Sequence, residues 1–499
     1  MSTFAQRCGV HDTARQASAA RVSRLIDAQG LELVRFAWCD LHGMLRGKTL
    51  VAGAAGRAVD DGVGMVSTLL LKDSSDRTAY QVFDAGGADS LGLPGFEFAS
   101  NLMLVADPDS FHTLPWAAGT GWVQCQPYFA DGRAVPLDSR RVLKHALSEL
   151  ATAGYGMKCG LEIEFHIYKI INHGTAGSSA ELDPAQAGWP GAPPAVQMIH
   201  PGFHMLSEQW MDRSDEPLRI VQKTAQALGL PLSSLEVEFG PSQVEAVFDA
   251  TDALTAADNM VLFRSAVKQA LRRAGYHASF MCRPPFEHIM SSGWHLHQSL
   301  LDIGSGRNAF MRDAAAAGST PADANHTLSD TGAHFLAGLL AHAPGMTAFS
   351  TPTINGYARF RPNALAPQAI VWGRDNRGAM LRVIGGAGDH ATRIENRIGE
   401  PAANPYLYVA SQIHAGLDGV RRKLQPPPAT DSPYAAAAEK LPASLPHALQ
   451  ALKADVALHA AFGTGFVDYF THVKQAEVAR HAESPDPADW ERREYFSRL

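Results

Sequence analysis

Four short runs place metal- and phosphate-binding side chains at strand spacing inside otherwise apolar sequence. In GLEIEFHIY, Glu162 and Glu164 are two residues apart, so on a strand both carboxylates leave one face while Ile163 and Phe165 leave the other. Two adjacent carboxylates repel each other unless positive charge lies between them, and a divalent cation supplies that charge economically. LEVEFGPSQVEAVFD offers Glu236, Glu238 and Glu245 around a Gly-Pro turn, and SSGWHLHQSL sets His295 and His297 on one face with Trp294 and Leu296 on the other. ATRIENRIGEP flanks Glu395 with Arg393 and Arg397. Oxygen-rich sets of this kind suit Mg²⁺ or Mn²⁺, whereas zinc prefers more nitrogen and sulfur.

Each run also has a plain structural reading. A lone E-x-E is usually a solvated strand face, a lone H-x-H is more often structural than liganding, and R-x-E-x-R is also the pattern of a surface ion-pair ladder of little worth. Coincidence favours chemistry here, because all four runs fall in the same stretch of chain. Between them, NGYARFRPNALAPQAIVWGRDNRGAMLRVI adds Arg359, Arg361, Arg374, Arg377 and Arg382. So many cations in a strand-rich, largely apolar segment call for anionic partners, for which phosphates and carboxylates are the natural choice.

The elements that must hold these groups follow from periodicity. VSRLIDAQGLELVRFAWCDLHGMLRGKTL opens helical and continues as a hairpin about a DLHG turn, and further strand-like pieces carry a small mixed domain to roughly Pro115. After a helix capped by Asp138 or Ser139, strands alternate with helices to about Lys423. Runs 172–197, 302–328 and 424–437, rich in Gly, Ala, Pro or Ser, are expected as surface excursions. FGTGFVDYFTHVKQAEVARH is expected as an amphipathic helix.

Composition narrows the partners. A chain of 499 residues with 46% hydrophobic and 19% charged residues is expected to fold around a large core. The net charge of -7, without a dense basic run, argues against nucleic acid and anionic membranes and for small solutes. No apolar run has the length of a membrane span and the first residues lack a signal-peptide pattern, so a cytoplasmic location is expected. Five scattered cysteines without C-x-x-C spacing read as reduced thiols.

Taken in order, the E-x-E strand, the E-x-G-P-x-Q-x-E turn, the G-x-H-x-H-Q-S strand, the N-R-x-x-x-x-R segment and the R-I-E-x-R stretch followed by N-P-Y-L resemble the glutamine synthetase superfamily through nearly the whole chain. The resemblance implies an α+β fold, with an N-terminal β-grasp domain over residues 1–125 and a catalytic domain over 126–499. In that second domain a curved antiparallel sheet with flanking helices would form an open funnel. It implies that Glu164, Glu238 and Glu245 hold one metal, and that Glu162, His295 and Glu395 hold another. His297, Ser299, Arg377 and Arg382 would meet ATP phosphates. Arg359 and Arg397 would meet L-glutamate or its acyl phosphate, near Ser291 and Gly293. Arg359 and Arg377 would thus act in catalysis. A homo-oligomer is implied as well, a dodecamer of stacked rings with sites between subunits.

Departures from the family pattern bear on the substrate. The loop after Arg359 carries a glutamate in glutamine synthetases proper, where it attracts ammonium and takes its proton; here that position is Leu365. An isobutyl group offers neither cation attraction nor a base, and leaves an apolar wall. Asp73, followed by Ser74 and Ser75, is the nearest match to a second ammonium-site element and a candidate proton acceptor from a neighbouring subunit; its plain reading is a turn aspartate bonding to backbone amides. Met290-Ser291-Ser292-Gly293 replaces the usual Asn-Gly-Ser-Gly, and Trp294 stands where Met is commoner. PNALAPQAIVWG has no carboxylate to receive a polyamine, whereas an aniline-like amine is uncharged at neutral pH and gains from an apolar pocket. The expected activity is therefore ATP-dependent γ-glutamyl transfer to a hydrophobic, aromatic amine. The alternatives are a ligase for polyamines or short alkylamines, a true glutamine synthetase, and a non-catalytic homologue.

Overall fold

The computed structural model describes residues 2–84, 91–92, 94–171, 184–313, 327–361 and 366–499. Residues 172–183 and 314–326, within two of the expected excursions, and Leu365 lie outside the described residues.

The first sheet contains β1 (Leu33–Cys39), β2 (Leu45–Val51), β3 (Val63–Val66), β4 (Asn101–Ala106), β5 (His112–Thr113) and β6 (Thr120–Phe129). Its order is β2-β1-β6-β4-β3 with β5 on β6. The pairing of β1 with β6 is parallel and its other pairings are antiparallel, which is the mixed sheet of a β-grasp domain. The expected hairpin turn is Asp40 to Gly43. Asp40 Oδ1 accepts from the amides of His42 (3.0 Å) and Met44 (2.9 Å), while Gly43 takes a φ of 76° that a side chain would resist. β6 continues through residue 125 to Phe129.

The second sheet contains β7 (Tyr155–Ile170), β8 (Val196–Met198), β9 (Leu232–Val237), β10 (Gln243–Asp252), β11 (Tyr276–Ser279), β12 (Trp294–Asp302), β13 (Trp372–Arg374), β14 (Leu381–Ile384) and β15 (Arg393–Gly399). Its order is β13-β14-β15-β12-β7-β10-β9, with β8 and β11 also on β7, and every pairing except β13 with β14 is antiparallel. The helix Pro405–Arg422 packs against the helices Ser139–Thr152, Ala253–Arg273 and Asp330–Ala341. Two glycines permit the closest of these approaches: a Cβ on Gly338 would lie 2.2 Å from the carbonyl oxygen of Ala415, and one on Gly419 would lie 2.2 Å from that of His334.

The tail forms the expected helix, over Thr464–Ala482. It buries Phe466, Tyr469, Phe470 and Val473, and also Lys474 and Glu477, because it lies between the two domains. Lys474 Nζ meets Glu477 Oε2 at 3.0 Å, and Glu477 accepts a further hydrogen bond from Tyr495. Tyr469 donates to the carbonyl of Leu70, tying the helix to the first domain.

Candidate active site

Register, more than any single motif, assembles the site. Antiparallel pairing sets Glu245 of β10 opposite Glu164 of β7 on one side and Glu236 of β9 on the other. His295 of β12 faces Glu162 of β7, and Glu395 of β15 faces both His297 of β12 and Arg382 of β14. The alternate residues Ile163, Phe165, Trp294 and Leu296 are fully buried on the opposite face, so the strands divide as their sequence alternation requires.

Three sets of ligand atoms come within 4.8 Å of one another: Glu162 with His295 and Glu395; Glu164 with Glu245 and His295; Glu236 with Glu238 and Glu245. The first is the second expected metal set. The expected trio of Glu164, Glu238 and Glu245 is distributed over the other two sets, with Glu245 common to both.

Charge supports cation binding. Burial, then the charges of Glu164, Glu162, Glu238 and Glu236, push Glu245 up to about 10. Burial, then Glu164, pushes Glu238 up to about 7. Like charges directly opposite on neighbouring strands destabilise a sheet, and carboxylates this short of positive charge fit hard divalent cations with oxygen ligands. Burial also raises Glu162, but hydrogen bonds from His295 and His297 outweigh it and hold the group below its ordinary range. Glu395 is likewise held low, against its burial, by Arg397 and then the two histidines. Burial and then Arg397 depress His295, favouring the neutral imidazole that ligates metals.

Hydrogen bonds orient the histidines. Arg359 Nη2 donates to His295 Nε2 (3.3 Å), leaving Nδ1 toward Glu162 Oε2 (3.2 Å). Arg393 Nε donates to His297 Nδ1 (3.0 Å), so Nε2–H points to Glu162 Oε1 (2.8 Å). Glu164 Oε2 accepts from the Gly293 amide (2.7 Å) and from Gln243 Nε2 (3.1 Å). A Cβ on Gly293 would lie 2.3 Å from Arg359 Nη2, so a side chain there would displace the guanidinium.

These groups line a cavity of about 490 Å³ that holds Glu162, Glu164, Glu238, Glu245, His295, Ser291, Arg359, Arg377, Arg382 and Arg397. Arg397 and Arg382 are both held by Glu395, and Arg359 Nη1 donates to the carbonyl of Arg397 (2.6 Å). Arg377 is exposed and makes no ion pair among the described residues. His297 and Ser299 line an adjoining cavity of about 390 Å³, which shares Glu162 and Val247 with the first and adds Lys158, Asn308 and Arg393. The sequence reading left Glu236, Gln243 and Arg393 without roles. Their signals were present in E-x-E, in G-P-x-Q and in the first arginine of R-x-E-x-R, but only the pairing of strands shows what they touch.

Asp73 is not among the lining residues. Its Oδ1 accepts from the amides of Ser75 (3.0 Å) and Arg77 (2.8 Å), and its Oδ2 meets Arg480 Nε at 2.8 Å. Ser74 and Ser75 both donate to Glu494.

Comparison with known proteins identifies the family. The glutamine synthetase catalytic domain matches residues 136–495. A γ-glutamylanilide synthase of Acinetobacter sp is 38% identical, covering 98% of this chain and 97% of its own. A glutamine synthetase of Halobacterium salinarum is 30% identical over 95% of both chains, and a γ-glutamylethanolamide synthetase of Streptomyces coelicolor is 29% identical, also over 95% of both. The solved structure of GmaS without ligand superposes with a TM-score of 0.74 at 29% identity, covering 95% of this chain and 98% of that one. No helix among the described residues is long and apolar enough to cross a membrane. The chain belongs to the glutamine synthetase family, whose members use ATP and divalent metal ions, and is an ATP-dependent carbon–nitrogen ligase of the γ-glutamyl kind.

Proposed function

We propose that this ligase joins the side-chain carboxylate of L-glutamate to a hydrophobic amine, preferentially an aromatic one of the aniline type. The observation that carries the reading is Leu365, in a run from Arg359 to Pro367 that contains no carboxylate. An ammonium or alkylammonium ion would find no counter-charge in that run, while an arylamine needs none. The γ-glutamylanilide synthase among the relatives supports the same choice.

In this reading Arg359 and Arg397 hold glutamate near Ser291 and Gly293, while His297, Ser299, Arg377 and Arg382 meet ATP. Glutamate's carboxylate oxygen bonds to the γ-phosphorus as the bond to the ADP oxygen breaks. The amine nitrogen then bonds to the acyl carbon, the acyl–phosphate C–O bond breaks, and the departing phosphate takes the proton that the amine sheds. Mg²⁺ or Mn²⁺ on the glutamate and histidine sets would offset negative charge on the phosphate oxygens. Arg397 and Arg382 start pinned by Glu395, which pre-orients them, whereas the exposed Arg377 remains available to follow the moving phosphoryl group. The family resemblance extends the proposal to a ring-shaped homo-oligomer in the cytoplasm.

A second reading, a ligase for cationic alkylamines, draws on Glu236 and Glu238 in the cavity wall, which could receive an ammonium group. The test is amine-dependent phosphate release with ATP, Mg²⁺ and L-glutamate, across ammonium, methylamine, ethanolamine, putrescine, isopropylamine and aniline. Preference for aniline supports the proposal, and Leu365→Glu should then shift preference toward ammonium. Preference for putrescine or ethanolamine replaces it with the second reading.

A further inference from the structure

Beyond β9, at the edge of the second sheet, residues 200–207 run alongside the end of that strand. Leu206 N–H donates to the carbonyl of Val237 (3.0 Å), and Phe203 N–H donates to that of Phe239 (2.7 Å). The path is forced. Phe203 and Leu206 both adopt φ of 56°, a left-handed conformation that non-glycine residues avoid, and a Cβ on Gly202 would lie 2.4 Å from the nitrogen of Pro241.

What this path achieves is an outward display of apolar side chains. Phe203 meets Phe239 edge to face at 5.6 Å between ring centroids, yet Phe203 stays 53% exposed, Phe239 43% and Met205 46%. Met205, Phe239 and Met290 line the same cavity as Glu164, Glu238 and Arg359. A Cβ on Gly240 would lie 2.7 Å from Met290 Cβ, so the Phe239 segment rests directly on Met290.

Resting on the ligase reading above, we infer that Phe203, Met205, Phe239 and Met290 form the acceptor subsite, a shelf that seats the apolar body of an uncharged amine. Strand order gives the direction. Arg382 and Arg397 stand on β14 and β15, so anionic phosphate gathers at that side of the cavity. Phe203, Met205 and Phe239 lie past the end of β9 at the other, and Met290, in the segment that leads into β12, meets them beside Ser291. A neutral amine lying there places its ring against two aromatic edges and two thioethers and points its nitrogen at the acyl carbon, with no charge to desolvate.

The test measures kcat/KM for aniline and for hydroxylamine, a nucleophile too small to reach the shelf, in full-length enzyme with ATP, Mg²⁺ and L-glutamate. In Phe239→Ala and Met205→Ala the ratio of aniline to hydroxylamine should fall about tenfold, through KM for aniline rather than kcat. Phe239→Leu and Met205→Leu, which keep apolar volume, should lose less. Met205 projects outward, so its pair of variants decides the matter if Phe239→Ala does not fold. A parent enzyme that takes aniline while every variant keeps the parent ratio overturns the shelf alone. A parent that makes the hydroxamate but refuses aniline overturns the substrate reading and the shelf together.

Discussion

Replacing Glu245 by Gln should stabilise the metal-free protein at neutral pH while removing most of its response to divalent cations. Glu245 is 6% exposed and stands opposite Glu164 and Glu236 in the sheet. Burial and those neighbours raise its carboxyl from 4.5 to about 10. The folded state therefore keeps a proton that the unfolded chain has already lost, throughout the interval from 4.5 to about 10. Stability from this group is complete below pH 4.5 and is lost as the pH rises toward 10. At pH 7 the roughly 2.5 units travelled correspond to a loss on the order of 3 kcal/mol, at about 1.4 kcal/mol per unit. Glu238, raised to about 7, acts in the same direction over a narrower window.

Gln cannot ionise, so the variant should lack the Glu245 part of that slope. Divalent cations act oppositely on the parent, because they bind the ionised set, release its proton and stabilise the fold that binds them. Thermal unfolding recorded between about pH 6 and 9, with chelator and with millimolar Mg²⁺, separates the two effects. The parent should melt lower with rising pH in chelator and recover with Mg²⁺; Glu245→Gln should show a flatter profile and a smaller recovery. If the variant melts below the parent in chelator at the alkaline end, or keeps the full Mg²⁺ shift, the carboxylate row is not the cation-starved element described above.

Other substitutions probe separate parts of the site. His295→Ala removes the imidazole shared by two ligand sets and should lower phosphate release with every amine by about a thousandfold, a loss of some 4 kcal/mol of transition-state stabilisation; a change confined to one amine would contradict its place at the metal. Gly293→Ala drives a methyl to 2.3 Å from Arg359 Nη2 and should raise KM for glutamate well above any effect on KM for ATP, read by varying each in turn. Lys474→Met strands the buried Glu477 carboxylate without its ammonium and should cost about 3–5 kcal/mol, seen as a lower denaturation midpoint, most of it recovered in the double variant with Glu477→Gln.

The groups that do chemistry were largely legible in the sequence, because period-two alternation tells which side chains share a strand face. Glu162 with Glu164, and His295 with His297, lie on one face, as read. Alternation along one strand cannot tell which residue stands opposite on the next. That is why Glu236 gained a role only when β9 was seen beside β10, and why Glu245 is shared between two sets. The burial of the tail was hidden for another reason. Lys474 and Glu477 look like the solvated face of an amphipathic helix, but they neutralise each other between two domains, a long-range fact absent from any window of sequence. Phe203 and Leu206 were also silent, since nothing in their types announces a left-handed backbone.

The sheet holds these unlike environments only while its register holds. A one-residue slip of β12 would exchange His295 and His297 for Trp294 and Leu296, putting an indole where a metal ligand belongs. Trp294 resists that slip. It is fully buried, packs edge-on against Tyr408 at 5.0 Å between ring centroids, and its carbonyl would lie 2.7 Å from a Cβ on Gly399, the residue facing it on β15. The pairing shifts between Trp294 and Leu296, so the bulge sits directly beside the histidine that two ligand sets share. A bulge re-aims the side chain next to it, which lets His295 reach Glu162 and Glu395 from one nitrogen while the other accepts from Arg359. Trp294 is thus coupled to the candidate metal site through packing: it fixes the strand whose opposite face carries His295.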